Sequence, residues 1–397
     1  MAKLGMPSVI VAFEEAGIEA IQRSKRGIVA LILEEDQAVI DALQKDANSA
    51  VVGEGQTGSA TVGAGNATVN DPIVIYTTDD IPDSLSDENK DYIIKCLLGY
   101  VTTPYRVKIY LQAKTDGEST ADKWNDTLTK MATDRWDYLA IPTIETGALE
   151  TVAAWIKTNR ENKYKKVKAV LPGYDGDYEG IINFANTKIK TASKDYTPAE
   201  YTARIAGLIA GTPLTISATY APLSEVIDCD KYGLDENDEK VNAGEFFIWY
   251  DGTKYKMSRA INSLVTTTQG KQEGYQTIKI VDIMDMIYDD IRTTAQDSYI
   301  GKYTNDYDNK RLLIAAIMGY FKQLESERLL QRDYSTCEIN VEAVKNYQLS
   351  HGLYTKEELA DMNDQEIKQL DTKKKVFLKA KIKILDAMED IELPIAI

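Results

Sequence analysis

The sequence predicts a mixed α/β protein with more than one domain. Three observations carry this. Short apolar runs alternate with helical periodicities from about residue 71 to 185, a complete N-cap signature opens a helix at Thr197, and 397 residues exceed what one hydrophobic core normally serves.

Taken in order, Ile73 to Tyr76 reads as a strand, followed by a helix that opens near Ser84 or Ser86 and sets Ile93, Ile94, Leu97 and Leu98 on one face. Tyr105 to Leu111 alternates as a strand does, and Trp124 to Met131 is helical. Tyr138 to Ile141 is a short strand ended by Pro142, Ala148 to Ile156 a helix, and Val167 to Leu171 a strand before Pro172. Thr197-Pro198-Ala199-Glu200 is a capping box with Pro at the first helical position, so Tyr201 to Ala210 is a helix that Gly211 stops. Phe246 to Tyr250 and Lys254 to Ser258 flank Asp251-Gly252, the pair a two-residue hairpin turn needs because both positions take positive φ. Apolar residues recur at helical spacing from Ile278 to Ile291 and from Leu312 to Leu330.

Both ends read as strands without local partners. Ser8, Val9, Ile10, Val11, Ala12 and Phe13 form an extended apolar run, and the sequence from Val376 to Ile384 alternates with period two. Ile391, Glu392, Leu393, Pro394, Ile395, Ala396 and Ile397 follow with a single charge. An exposed apolar strand is an aggregation hazard unless paired, so each end is expected to join a sheet in its own subunit or another.

A formal charge of -16, from 62 acidic and 46 basic residues, opposes a general nucleic-acid binder. Cys96, Cys229 and Cys337 lie far apart without zinc-ligand spacing and read as free thiols of a reducing compartment. Met1 to Gly17 does not fit a signal peptide, and no window reaches the roughly 20 apolar residues of a membrane span, so no membrane insertion is expected.

Candidate sites have structural readings. Gly53-Glu54-Gly55-Gln56-Thr57-Gly58 spells GxGxxG, but Ser59 to Thr68 lacks the helical period a dinucleotide loop must lead into. Asp228, Asp230, Gly233 and Glu239 occupy positions 1, 3, 6 and 12 of a calcium-loop pattern, yet Tyr232 takes a ligand position, which favours a solvated acidic loop. Asp175, Asp177 and Glu179 read the same way. His351, the single histidine, precedes Gly352 as a helix-end cap, and no nucleophile elbow accompanies it. Neither catalytic residues, metal ligands nor a cofactor are assigned. Lys379, Lys381 and Lys383 project from one face of a strand whose other face carries Leu378, Ala380, Ile382 and Ile384. Two readings fit: an edge strand guarded by lysines, or a docking face for an acidic partner.

Lys25 to Leu33 (KRGIVALIL), Asp137 to Pro142, Lys168 to Pro172, Glu179 to Asn183, Ala199 to Pro213 (AEYTARIAGLIAGTP), Asn262 to Thr268, Tyr299 to Lys302 with Asn305 to Lys310, and Ile384 to Ile391 (ILDAMEDI) form an ordered series along the whole chain. In that order they resemble the tail sheath proteins of contractile phages and of phage-tail-like bacteriocins from Gram-positive bacteria. The resemblance implies an N-terminal arm and linker over 1–24, outer α/β domains over 25–290, an inner domain over 291–384 that is built from both chain ends and lies against the tail tube, and a C-terminal arm over 385–397. Arms of this type add strands to neighbouring subunits, and head-to-tail contacts that do not close give an open helical array. Positive charge toward an acidic tube is expected from the long helix (Lys310, Arg311, Lys322, Arg328) or from the lysine strand (Lys379, Lys381, Lys383). Implied partners are further copies of the chain, the tube protein, and the baseplate and tail terminator proteins. The place is a virion or phage-tail-like particle, assembled in the bacterial cytoplasm and released by lysis. With no nucleotide site assigned, contraction is expected to draw on free energy stored at assembly, relaxing through flexible connections near 14–24 and 385–390.

An intracellular α/β enzyme acting on a small molecule is the rival from another class, and it predicts a monomer or closed oligomer with a ligand pocket. A tail tube or capsid subunit is the second, opposed by the helices after Thr197 and Arg311.

Overall fold

A computed structural model describes residues 20–50, 72–114 and 122–396, the first stretch with its side chains only through residue 43. The described chain forms two compact units. The larger comprises Ser24–Asp289 with the chain from Ile384, and the smaller comprises Asp290–Lys383 with the described residues up to Arg23.

The larger unit contains, in chain order, β1 (Ile28–Glu35), α1 (Gln37–Ala50), β2 (Ile73–Ile75), α2 (Asp87–Leu97), β3 (Arg106–Ala113), α3 (Asn125–Met131), β4 (Tyr138–Ala140), α4 (Leu149–Glu161), β5 (Lys168–Pro172) and β6 (Ile181–Phe184). There follow β7 (Ile189–Thr191), β8 (Asp195–Tyr196), α5 (Pro198–Ala210), β9 (Val226–Cys229), α6 (Leu234–Asn242), β10 (Glu245–Phe246), β11 (Ile248–Tyr250), β12 (Tyr255–Met257) and α7 (Ile278–Thr294), whose last residues belong to the smaller unit. Among the described residues, seven strands make one sheet in the order β10-β6-β5-β4-β1-β3-β2. Each pairing in it is parallel except β2 with β3.

β1 lies inside this sheet, between β4 and β3, with every residue buried, which is why its sequence IVALIL is continuously apolar and not alternating. Val29, Leu31 and Leu33 pack with α2 and α5 through Ile93, Cys96, Ile205 and Leu208. Ile28, Ala30 and Ile32 face the opposite layer of Leu128, Met131, Val152 and Ile156 from α3 and α4. The result is a sheet between two helical layers.

The α5 cap forms as read. Glu200 N–H donates to Thr197 Oγ1 at 3.3 Å, and the Glu200 carboxylate accepts from Thr197 N–H at 2.7 Å. Inside this helix Gly207 is irreplaceable by size: a Cβ there would lie 1.9 Å from the Cys96 carbonyl oxygen of α2. The segment Ala199 to Pro213 therefore carries a helix contact that only glycine permits.

Several expectations need correction. Ile94 and Leu98 are largely exposed, so only part of the apolar face of α2 is buried. Phe246 belongs to β10 in the main sheet and not to the β11–β12 hairpin. In that hairpin only Gly252 takes positive φ; the Asp251 carboxylate instead accepts from Thr253 and Lys254 N–H at 2.9 Å each, closing a longer turn.

The smaller unit contains α8 (Tyr307–Ser326), β13 (Thr336–Ile339), α9 (Val341–Ser350), α10 (Lys356–Asp361), α11 (Asp364–Gln369) and β14 (Leu378–Lys381). α8 starts five residues before its sequence-predicted position because Asp306 caps it, accepting from Asn309 N–H at 2.8 Å, and it ends at Ser326. Asn305 fastens this start to the lysine segment by donating to the carbonyls of Lys373 and Lys375 at 2.7 and 3.0 Å. β13 and β14 pair antiparallel as a two-stranded sheet over a small core of Ile339, Val344 and Ile367.

Candidate assembly surfaces

The C-terminal chain docks at its root and projects at its tip, within the larger unit. The Glu389 carboxylate accepts from Ser217 Oγ at 3.0 Å and Thr219 Oγ1 at 2.5 Å, and lies 3.4 Å from Arg259 Nε. Asp390 pairs with the outer nitrogen of the same guanidinium. Together residues 386–390 wall one side of a cleft of about 740 Å³. Beyond Asp390 the chain stands in solvent: Ile391, Leu393 and Ile395 are 82%, 75% and 76% exposed. The strand read over Ile391 to Ile397 is not present as such. Residues 391–396 have no regular secondary structure, and Ile397 lies outside the described residues. A strand needs a partner, and among the described residues of its own unit none pairs with it. Within the 385–390 connection, Glu389 and Asp390 both pair with Arg259.

In the smaller unit the candidate basic residues divide. On α8, Arg311 and Lys322 are exposed. They are eleven residues apart, which at 3.6 per turn places them on one face about 16 Å from each other. Lys310 does not share that surface: it is buried, with burial lowering its pKa against the attraction of Asp371 and Asp306. Arg328 is exposed but lies past the helix, in a left-handed conformation with φ of 60°. Lys379 pairs with Glu338 across the β13–β14 ladder at 3.1 Å, Lys381 lies 4.6 Å from the Tyr334 ring, and Lys383 is exposed. Ala380, expected to face a core, is exposed, whereas Leu378 joins the small core.

A buried charge network, which no local pattern announces, occupies the amino ends of the central strands in the larger unit. Asp282, Asp285 and Asp289 follow one another on one face of α7. Asp285 takes Arg160 in a bidentate pair at 2.9 and 3.0 Å and Lys168 at 2.7 Å. Asp282 accepts from Tyr138 and pairs with Lys168 at 2.9 Å, while Asp289 pairs with Arg26 at 2.8 Å. Arg26 also holds Asp137, whose other oxygen accepts from Ile28 N–H at the start of β1. Burial works to raise the Asp285 pKa, but Lys168 and Arg160 outweigh it and bring it down to about 2. Burial likewise opposes the Lys168 and Arg26 charges, and the surrounding aspartates more than offset that, raising both.

A cleft of about 310 Å³ lies beside this network, lined by Arg26, Tyr138 and Asp282. Open α/β sheets bind ligands at the carboxyl ends of their strands, the opposite side. At the carboxyl end of β1, Glu35 is engaged in structure, accepting from Ser86 N–H at 2.8 Å and Asn89 Nδ2 at 2.9 Å.

The remaining motif residues have structural partners. Asp230 accepts from Thr187 and Lys188 N–H, and Asp228 pairs with Lys188 at 2.7 Å, so the calcium pattern is spent on a loop clasp. Asp177 accepts from Val265 and Thr266 N–H, and Glu179 pairs with Lys271 at 2.8 Å. His351 Nδ1 lies 2.8 Å from the Tyr347 carbonyl at the end of α9. Among the described residues no cluster of His, Cys, Asp or Glu is arranged to hold a metal ion, and no helix is long and apolar enough to cross a membrane. Ser8 to Phe13 and Gly53 to Gly58 lie outside the described residues.

Comparison with known proteins agrees along the whole chain. Residues 117–263 match the phage tail sheath protein central domain, and residues 271–397 the phage tail sheath C-terminal domain. The phage-like element PBSX protein XkdK of Bacillus subtilis is 33% identical over 188 residues, covering 46% of this chain and 40% of that protein. Two solved structures share the fold: the sheath tail protein Lin1278 of Listeria innocua (TM-score 0.61, 14% identity, 92% of this chain and 96% of that one) and the helical sheath of the anti-feeding prophage in its contracted state (TM-score 0.64, 12% identity, 99% of both). The tail sheath protein of Clostridium phage phiCD119 is 33% identical over 391 residues, 98% of each chain, and with that breadth of likeness the chain belongs to the phage tail sheath family.

Proposed function

We propose that the chain works as a non-enzymatic structural subunit that polymerises helically around a tail tube, and contracts from a metastable extended state to drive the tube through a target envelope. The observation that carries this is the tip of the C-terminal chain, with Ile391, Leu393 and Ile395 three-quarters or more exposed on a subunit whose larger core is complete without them. The tip is the donor arm, and the β13–β14 sheet is its acceptor on a neighbouring copy. A two-stranded sheet is marginal alone and gains stability from a third strand, which favours this pairing. The smaller unit is then the inner, tube-facing part, and the larger unit forms the outer layers. Baseplate and terminator proteins cap the array, and the particle forms in the host cytoplasm and leaves on lysis. Negative-stain microscopy of the purified chain should show tubes without added nucleotide or metal; a strictly monomeric protein at high concentration overturns the proposal.

The tube face is the exposed side of α8. Between Arg311 and Lys322 that side carries Ala315 and Gly319, so the two charges flank a low, flat strip suited to close approach. Lys379 is the weaker candidate because Glu338 already partners it. Arg311→Glu with Lys322→Glu should weaken co-sedimentation with the tube by about fivefold at low salt, given rim pairs of roughly 0.2–1 kcal/mol each. The difference should shrink as ionic strength rises. Lys379→Glu with Lys381→Glu should change it less, and unchanged binding in both variants rejects electrostatic docking.

A further inference from the structure

The root of the C-terminal chain is fastened by a set of polar contacts, although apolar residues surround it in sequence. Asp386, Glu389 and Asp390 supply its contacts, while Met388 between them is 93% exposed. The socket is built to receive a carboxylate. Thr219 Oγ1 accepts from Ala260 N–H at 2.9 Å, and Ser217 Oγ accepts from Thr219 N–H at 3.1 Å. The two hydroxyls lie 2.8 Å from each other, and both are within donating distance of the same Glu389 oxygen, Thr219 at 2.5 Å and Ser217 at 3.0 Å. Arg259 covers the other Glu389 oxygen and reaches Asp390, so one guanidinium spans the last two docked residues. Burial lowers the pKa of Lys279, against the attraction of Asp386 and Glu389.

The geometry points to an electrostatic clasp: Ser217, Thr219 and Arg259 seize Glu389 and Asp390 of the same chain, fix the point and direction at which the arm leaves its subunit, and pass tension in the arm into the larger unit. Physical chemistry favours such a root over an apolar one. Charge-assisted hydrogen bonds are short and directional, so they define an exit angle that non-directional apolar burial cannot. Half-exposed ionic pairs are also screened by salt, so the clasp loosens as ionic strength rises while the apolar tip keeps its affinity for a neighbour. Arm geometry and arm affinity thereby reside in separate residues.

The clasp gives the proposed exchange arm its function and so rests on that reading, but its test does not depend on polymerisation. In the full chain with Cys337→Ser, nitroxides at Met388→Cys and at Ile227→Cys on β9 report the root-to-core distance by pulsed electron resonance, with labelled chain diluted into unlabelled chain. The distribution should be narrow in this background and at least twofold broader in Glu389→Ala and in Arg259→Ala. One molar sodium chloride should broaden the background. Circular dichroism checks that each variant is folded, and the two single variants guard against one failing. Equal widths throughout, or a broad background, overturn the clasp and leave the exchange arm to be judged by removal of the tip.

Discussion

Asp285→Ala should lower the stability of the larger unit by about 3–5 kcal/mol, the range found when one partner of a buried ion pair is removed. For a unit of this size that corresponds to a fall in Tm of roughly 6–20 °C. The cause is what stays behind. Arg160 and Lys168, both buried, lose the carboxylate that takes three of their donors; Arg160 keeps Glu179 at 3.9 Å and Lys168 keeps Asp282 at 2.9 Å, so their desolvation is then only partly compensated. Asp285→Asn should cost nearly as much, since an amide keeps the shape but not the charge. Replacing all three residues by Leu, Met and Met should recover much of the loss, because the desolvation penalty disappears with the charges.

The same group sets an acid limit, with a definite sign. Its folded pKa of about 2 lies below the ordinary 3.8, so its contribution is fully present above roughly pH 4 and is lost as pH falls through 2. That shift corresponds to roughly 2–3 kcal/mol. Denaturant titrations across this window should show a shallower acid limb in Asp285→Asn than in the natural sequence. A change below about 1 kcal/mol in Asp285→Ala would show the network to be dispensable.

Which features are legible in the sequence follows from the distance over which their causes act. The α5 helix is legible because cap, first-turn Pro and stop lie within fifteen residues and interact with one another. β14 is legible from alternation, which needs only its own residues, although that alternation overstates the burial of Ala380. β1 shows no alternation, since both its faces are covered, and an apolar run of that length fits helix or strand; family likeness is the signal that marks it. The charge network is invisible because its partners lie far apart, 125 residues between Arg160 and Asp285 and 263 between Arg26 and Asp289. Arg26 and Asp137 do fall in segments that family likeness picks out, without any hint that they meet. Lys310 shows the opposite failure: charge reads as a sign of exposure, while the helical angle turns it inward beside Asp371. The Gly207 contact depends on another helix's backbone, so the composition of its own segment could not reveal it.

Removing Ile391 and all that follows should leave a folded, soluble subunit that forms no connected sheath. Folding should survive because these side chains contribute almost nothing to their own unit: the tip is exposed, and the clasp ends at Asp390. Thermal and chemical unfolding should therefore shift by less than about 0.5 kcal/mol, the usual range for surface changes. Assembly should fail because the tip is the donor. Ile391, Leu393 and Ile395 repeat with period two, so in an added strand they fall on one face, each gaining roughly 1.5–3 kcal/mol on full burial. Main-chain hydrogen bonds to the acceptor edge add to this, and Pro394, which lacks an amide proton, directs its nitrogen side away from that edge. Leu393→Ile keeps the apolar volume and should be tolerated, whereas Leu393→Asp should reproduce the truncation by placing a charge in the apolar row. Sedimentation and negative-stain microscopy separate the outcomes. Tubes of normal length from the truncated chain reject the exchange arm; loss of helical signal with aggregation would instead place the segment in its own subunit's core.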